Sequence, residues 1–220
     1  MMESYGMSWV IAGFTLVFLV ICVRYRKNSR YLYMIFNDAT EVRVRHNAFD
    51  DTLRETSFVW LLNLLWCGCA GFLLYSFLFR PSSGLEISGI RIARLGVCMG
   101  ACAVYTMFLA VAYSAVGTVF SDRDKATLWA KGYLSTQGLE TIALFPATFL
   151  GMCVPSLLYP MEICGLVIFI LGKLLFIYKG FCIFFTETAS WVLFLYYLCS
   201  LEIVPVVLTY VGTGYICSLI

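Results

Sequence analysis

Residues Phe58–Phe79 read FVWLLNLLWCGCAGFLLYSFLF, an apolar run of 22 residues that contains no charged side chain. About 20 such residues, folded as an α-helix, cross the roughly 30 Å hydrocarbon core of a bilayer. A helix satisfies its own backbone hydrogen bonds, as any segment surrounded by lipid must. This stretch therefore predicts a transmembrane helix and a fold whose surroundings are lipid.

The rest of the chain has the same apolar character. Hydrophobic residues make up 61% of its 220 residues and charged residues 13%, whereas charged residues are about 25% of an ordinary soluble domain. We predict an all-α polytopic membrane protein in which residues 1–220 form a single integral membrane domain with six transmembrane helices. The six predicted spans are about 7–23, 58–79, 95–120, 132–154, 161–178 and 190–211.

The distribution of Lys and Arg predicts the orientation of these helices. Loop 24–57 carries seven of the 15 basic residues, and with the loops after spans three and five its side of the membrane holds eleven. The opposite side holds three. Because cytoplasmic loops are enriched in Lys and Arg, we expect 24–57 to be a cytoplasmic loop and both termini to lie outside. Within this loop, Tyr31–Phe36 is expected either to lie along the membrane interface or to extend the first helix.

Three ionisable residues lie inside the predicted spans. They are Glu140, Lys173 and Glu202, and their burial in lipid would be costly, which makes them candidates for function. At 1.5 Å per residue they lie about 11, 8 and 18 Å from the predicted cytoplasmic edge, so Lys173 matches the depth of Glu140 better than that of Glu202. Two interpretations remain open: a proton or ion relay along all three, or a structural ion pair beside one separately satisfied acid.

Pro205 adds a backbone feature next to Glu202. Proline has no backbone N–H, so Pro205 leaves the carbonyl of Leu201, four residues earlier, without its helical hydrogen bond. We predict a kinked helix here, with an acid beside a free carbonyl. Such an arrangement can bind a cation or accept a hydrogen bond from a neighbouring helix.

Small residues form two candidate packing faces. Gly96 and Gly100 make a GxxxG pattern at the start of the third predicted span, and Gly68 and Gly71 lie in the second. Small residues let helix backbones approach closely in membranes. We expect these glycines to pack helices together, either inside the protein or against another subunit.

Several classes of function are excluded by missing residues. No Asp lies in a predicted span and the only histidine is His46, in a polar loop, so intramembrane aspartyl, serine and metal proteases lack their catalytic groups. The chain has no GxxxxGK[ST] loop and no basic tract for nucleic-acid phosphates. We therefore predict no catalytic residue, no metal site and no cofactor, and no nucleic-acid partner.

Two further patterns have simple interpretations. The ten cysteines lie mostly in apolar runs and contain no CxxC pair, so we interpret them as small packing residues. Val211–Tyr215, VGTGY, resembles a permuted potassium-filter tract, but without a pore helix we interpret it as a flexible C-terminal turn.

The C-terminal region resembles a family of inner-membrane proteins of Bacteroidota that is described as a domain of unknown function. The resemblance rests on the segments Tyr178–Phe181 and Leu195–Pro205, the second of which reads LYYLCSLEIVP. The family signature is similar to Tyr-Leu-Cys-x-Leu-Glu-Ile-x-Pro. The resemblance implies the inner membrane of a Gram-negative cell and marks Cys199, Glu202 and Pro205 as motif positions, but it implies no activity.

The predicted function rests on the missing catalytic and cofactor-binding motifs and on the two faces of small residues. We expect a non-catalytic integral subunit of an inner-membrane complex, for example one that serves protein export or secretion, with the lipid bilayer and other membrane subunits as partners. The alternative is a small ion-coupled transporter or channel that uses Glu140, Lys173 and Glu202. A membrane enzyme is the third and weakest interpretation.

Overall fold

The computed structural model describes residues 3–25, 53–79, 88–120, 123–184 and 199–219, and all regular structure among them is helical. These residues form six α-helices with one 3₁₀ turn and one π-helical turn. The helices are α1 (Glu3–Tyr25), α2 (Leu53–Leu78), α3 (Ser88–Phe120), α4 (Arg123–Cys153), α5 (Leu158–Phe184) and α6 (Val204–Leu219). The 3₁₀ turn Pro155–Leu157 joins α4 to α5, and the π-helical turn Cys199–Ile203 precedes α6.

Among the described residues, four helices are long and apolar enough to cross a bilayer. Their candidate spans are Phe58–Leu78, Ile92–Ala115, Leu158–Lys179 and Ser200–Leu219. This result confirms the all-α class and the membrane character of the chain. The shorter run Ile11–Val23 in α1 is also apolar.

The fourth predicted span differs from the others because its polar residues are inside the protein. Helix α4 buries Ser135, Thr136, Gln137, Glu140 and Thr141, five polar side chains within seven residues. They lower the hydropathy of the helix, while its described exposed side chains include the apolar Leu134, Ile142 and Leu150. The polar character of α4 is therefore a property of the protein interior.

Several helix ends differ from the sequence prediction. Helix α4 already begins at Arg123, so Lys125 and Lys131 lie on a helix and not in a loop. Helix α5 continues to Phe184, six residues beyond the predicted end of its span, and therefore includes Lys179. The predicted interfacial segment Tyr31–Phe36 lies outside the described residues.

The C-terminal prediction of a flexible turn is wrong. Helix α6 continues through Val211–Tyr215 to Leu219. Thr213, in the middle of that tract, is buried and donates to the backbone carbonyl of Thr209. This side-chain bond lets a polar residue lie within an apolar helix, since it satisfies the hydroxyl locally. The two glycines beside Thr213 therefore belong to a helix.

The predicted glycine faces have different surroundings. A Cβ atom on Gly71 would lie 2.8 Å from the Cα of Met99, so Gly71 permits close approach of α2 and α3. A Cβ on Gly68 would lie 2.9 Å from the ring of Phe14 in α1. In contrast, Cβ atoms on Gly96 and Gly100 would meet nothing within 4 Å. The first pair packs helices within the chain, and the second pair is open on the outer surface of α3.

Candidate functional site

Glu202 and Lys173 form a buried ion pair between the π-helical turn and α5. The Lys173 Nζ atom lies 3.3 Å from the Glu202 Oε2 atom, and the two side chains are 17% and 5% exposed. The hydroxyl of Tyr113, on α3, donates a hydrogen bond to Glu202 Oε1. Each oxygen of the Glu202 carboxylate therefore has its own partner, one cationic and one neutral.

The backbone around Pro205 explains how Glu202 reaches this position. The π-helical turn Cys199–Ile203 contains Leu201, the residue whose carbonyl loses its α-helical partner to Pro205. A π turn is wider than an α turn and is often found at functional sites. The predicted disturbance of the helix therefore takes the form of a π-helical turn, and Glu202 lies within it. Thr209 closes the following turn by donating to the Pro205 carbonyl at 2.7 Å.

Aromatic rings surround the ion pair. The Lys173 Nζ atom lies 5.3 Å from the ring centroid of Tyr105 and 5.7 Å from that of Phe169. Such distances allow a favourable interaction between the ammonium and the ring faces. The ring of Tyr113 packs against those of Tyr133 and Phe176, at centroid distances of 4.9 and 5.0 Å. These rings place apolar surface beside the pair, and the lower local dielectric constant strengthens its electrostatic attraction.

Glu140 approaches the same site from α4. Its side chain is 6% exposed, and a Cβ on Gly172 would lie 3.0 Å from its carboxyl carbon. Glu140, Gly172 and Lys173 line a common cavity of about 10 Å³ together with Trp66. The structure thus brings all three predicted ionisable residues to one place in the helix bundle.

The predicted pairing of Lys173 with Glu140 is wrong, because the ion pair found among the described residues joins Lys173 to Glu202. The apolar span of α5 ends at Lys179, one residue beyond the predicted end, so Lys173 lies about 9 Å from that end. Depth therefore did not identify the partner, and the pair forms because the π-helical turn places Glu202 beside Lys173.

Polar residues that the sequence analysis did not select complete the site. Gln137 Nε2 donates to Asn63 Oδ1 at 3.0 Å, which links α4 to α2. Lys179 is buried and donates to Ser135 Oγ at 3.4 Å. Their signal was present in the sequence: Gln137 lies one helical turn before Glu140 in a predicted span, and Asn63 is a polar residue in an apolar run.

The charges in this cluster are unequal in number. Two carboxyl groups, of Glu140 and Glu202, lie near the ammonium of Lys173, whereas the second ammonium of the site, that of Lys179, is bonded to Ser135 Oγ. If both acids were ionised, the group formed by Glu140, Glu202 and Lys173 would carry one net negative charge in an apolar environment, which is costly. The cluster is neutral when one carboxyl group holds a proton. Its chemistry is therefore that of two acids which compete for one cation and one proton.

The side chains near this cluster were also compared with those that bind metal ions. No group of three or more His, Cys, Asp or Glu side chains that could hold a metal ion occurs among the residues that the structure describes. Cys69, Cys98, Cys102 and Cys217 are buried between helices, as packing residues would be.

Comparison with known proteins identifies a family but no activity. No curated protein and no solved structure matches the chain. The family described as Domain of unknown function (DUF4271) matches residues 10–212, which include four of the six helices completely, parts of α1 and α6, and all three ionisable residues of the cluster. This match covers most of the sequence, and the chain therefore belongs to the DUF4271 family.

Proposed function

We propose that this chain is a small ion-coupled membrane transporter or channel that binds and releases a proton at the cluster of Glu140, Lys173 and Glu202. The observation that carries this proposal is the burial of two acids around one ammonium. Glu140, Glu202 and Lys173 together are neutral when one of the two acids holds a proton, which favours proton binding there. The aromatic rings around it restrict that proton to defined routes.

The geometry suggests how a proton could change the structure. With Glu202 ionised, Lys173 is held by it and Glu140 holds the proton. If the proton moves to Glu202, the attraction between Lys173 and Glu202 is lost, and the ammonium is drawn to Glu140, whose carboxyl contacts the neighbouring Gly172. A proton transfer would thereby shift α5 relative to the π-helical turn. This coupling of charge to helix position is what an ion-driven transporter requires.

The membrane arrangement is part of the same proposal. We place the chain in a bacterial inner membrane as one integral domain with six transmembrane helices and both termini outside. Support comes from the asymmetry of Lys and Arg, with eleven residues on one predicted side and three on the other. In this role the chain performs no covalent chemistry on a substrate.

The direct test is proton flux into liposomes that contain the purified protein. We expect flux to be abolished by Glu202→Gln and strongly reduced by Glu140→Gln, since each amide removes one of the two acids. The matched control is Glu162→Gln, because Glu162 is also a buried acid on a membrane helix but does not line the cluster cavity. Flux that persists in Glu202→Gln would contradict the proposal.

A second candidate, the non-catalytic subunit of an inner-membrane complex, is favoured by the outer face of α3. Gly96 and Gly100 are exposed and open, while Val104, Met107 and Val111 continue this face with exposed apolar side chains. A face that begins with small residues suits close contact with a helix of another protein, such as a component of protein export or secretion.

This candidate is tested by purification in mild detergent at native expression, followed by mass spectrometry. A stoichiometric partner that is lost in Gly96→Ile and Gly100→Ile would support it. The control is Gly13→Ile, since Gly13 is an equally open and exposed glycine on α1. If the protein purifies without other subunits, the subunit proposal fails.

A further inference from the structure

Four buried polar atoms in or beside the cluster have no hydrogen-bond partner among the described groups: Trp66 Nε1, Tyr105 Oη, Glu140 Oε1 and Glu202 Oε2. Glu202 Oε2 faces Lys173, and two of the others, Trp66 Nε1 on α2 and Glu140 Oε1 on α4, belong to residues that line one cavity. The indole of Trp66 is close enough to Glu140 to interact with its carboxyl group, yet a direct hydrogen bond of good geometry is not formed. A buried polar group without a partner is costly, so a third group is expected to join these two atoms.

Both side chains line the same cavity of about 10 Å³. A single water molecule needs a cavity of about that size and two to four polar partners. Trp66 offers a donor and Glu140 an acceptor, and Thr136, Tyr133 and Gln137 line the same cavity. The size and the polarity of the cavity therefore both fit one water.

A second cavity of the same size lies beside the first one. It also measures about 10 Å³, and Asn63, Gln137 and Thr141 are its polar lining residues. Gln137 lines both cavities and is held in place by its hydrogen bond to Asn63. The second cavity lies between α2 and α4, so the two spaces form a row that leads from Glu140 to the α2–α4 interface.

We propose that each cavity holds one water molecule and that these two waters, separated by the Gln137 side chain, form the access route of a proton to Glu140. This inference rests on the proposed proton-binding function of the cluster. The water in the second cavity accepts a proton from bulk hydronium, which becomes a neutral water, and passes the proton to the water near Trp66 when Gln137 turns aside. That hydronium gives the proton to Glu140 Oε1, which leaves a neutral water and a carboxylic acid.

The groups around Glu140 favour its carboxyl as the final proton acceptor of this route. The charged and titratable groups that act on it from the elements around it are Lys173 on α5 and Glu202 in the π-helical turn, with Tyr105 on α3 and Tyr133 on α4 also interacting with it. Of the described side chains of α2, the neutral Trp66 acts on it. A proton that crosses the two cavities from the α2–α4 interface therefore reaches the carboxyl of Glu140, which lines the first of them.

The first measurement tests for water at Trp66 directly, whether or not the protein moves protons. The full chain is labelled with ¹⁵N-tryptophan in lipid nanodiscs, and magnetisation transfer from water to the indole N–H groups is recorded by NMR. The Trp66 signal is assigned by its loss in Trp66→Phe. We expect transfer to the Trp66 indole, and its absence would overturn the inference.

The second measurement tests the route. Proton uptake by the cluster carboxyls after a pH jump is followed by time-resolved infrared absorption. We expect Gln137→Leu to slow uptake by about tenfold or more, which corresponds to about 1.4 kcal/mol of activation free energy. The matched control is Thr148→Val, because Thr148 is buried on the same helix and bonds to the carbonyls of Leu144 and Phe145, away from both cavities.

The two measurements separate the inference from the proposed function. Equal uptake rates in Gln137→Leu and Thr148→Val would contradict the route while leaving the proton site intact. Water at Trp66 without any carboxyl protonation step would contradict the proposed function but would confirm the hydrated cavity.

Discussion

The ion pair between Lys173 and Glu202 predicts a large energetic coupling between these two residues. Their charged atoms lie 3.3 Å apart, and at an effective dielectric constant of about 20 two unit charges at that distance attract by about 5 kcal/mol. The loss of hydration offsets part of this attraction. Replacing one partner leaves the other buried without compensation, which typically costs about 3–5 kcal/mol.

A double-mutant cycle measures this coupling. We expect Lys173→Met and Glu202→Gln each to lower the free energy of unfolding by about 3 kcal/mol, while the double variant loses about 2 kcal/mol less than the sum of the two. The assay is reversible unfolding in mixed detergent micelles, followed by circular dichroism. A second cycle, of Lys173→Met with Glu140→Gln, is expected to give a smaller coupling, because the ion pair is made with Glu202.

Two results would refute this reasoning. One is a coupling below about 0.5 kcal/mol between Lys173 and Glu202, since that is the range expected for independent sites. The other is a larger coupling of Lys173 with Glu140 than with Glu202, which would favour the pairing that helix depth alone predicts.

The hydroxyl of Tyr113 donates to a charged acceptor, so we expect Tyr113→Phe to lower the free energy of unfolding by about 1.5–3 kcal/mol in the same assay. Tyr105→Phe is the matched control and should be nearly neutral, because the Tyr105 hydroxyl has no hydrogen-bond partner among the described residues. Gly71→Ala places a Cβ 2.8 Å from the backbone of the facing helix and should lower the melting temperature measurably, whereas Gly100→Ala should leave it unchanged; equal effects of the two would contradict the assigned helix packing.

The fold class followed from the sequence because bilayer thickness sets the length of an apolar helix. The run Phe58–Phe79 predicted a helix, and α2 contains all but the last residue of it. The three ionisable residues of the site were also identified, because apolar runs make any charge conspicuous. Helix ends were less predictable: α5 passes Tyr178 and Gly180 without interruption and continues to Phe184.

The partners of the ionisable residues could not be predicted for a related reason. Depth does not specify which neighbouring helix a side chain faces, and the π-helical turn that brings Glu202 to Lys173 has no signature in hydropathy. The hydrogen bond of Tyr113 to Glu202 could not be predicted, because tyrosine is common in apolar spans and the sequence does not show which acceptor its hydroxyl meets. Gln137 was overlooked beside the more conspicuous Glu140, although both lie on the interior face of α4.

Because of the π-helical turn Cys199–Ile203, the position of Glu202 should depend more on the number of residues in the turn than on the identity of its exposed side chains. Successive residues of an α-helix are rotated by about 100° around its axis, and a π turn holds one residue more than an α turn. Ile203 is 51% exposed, so its replacement removes little packing. Its deletion, however, would let the turn revert to α geometry and would rotate Glu202 by about 100° away from Lys173. We therefore expect related sequences to keep the spacing between Glu202 and Pro205 constant.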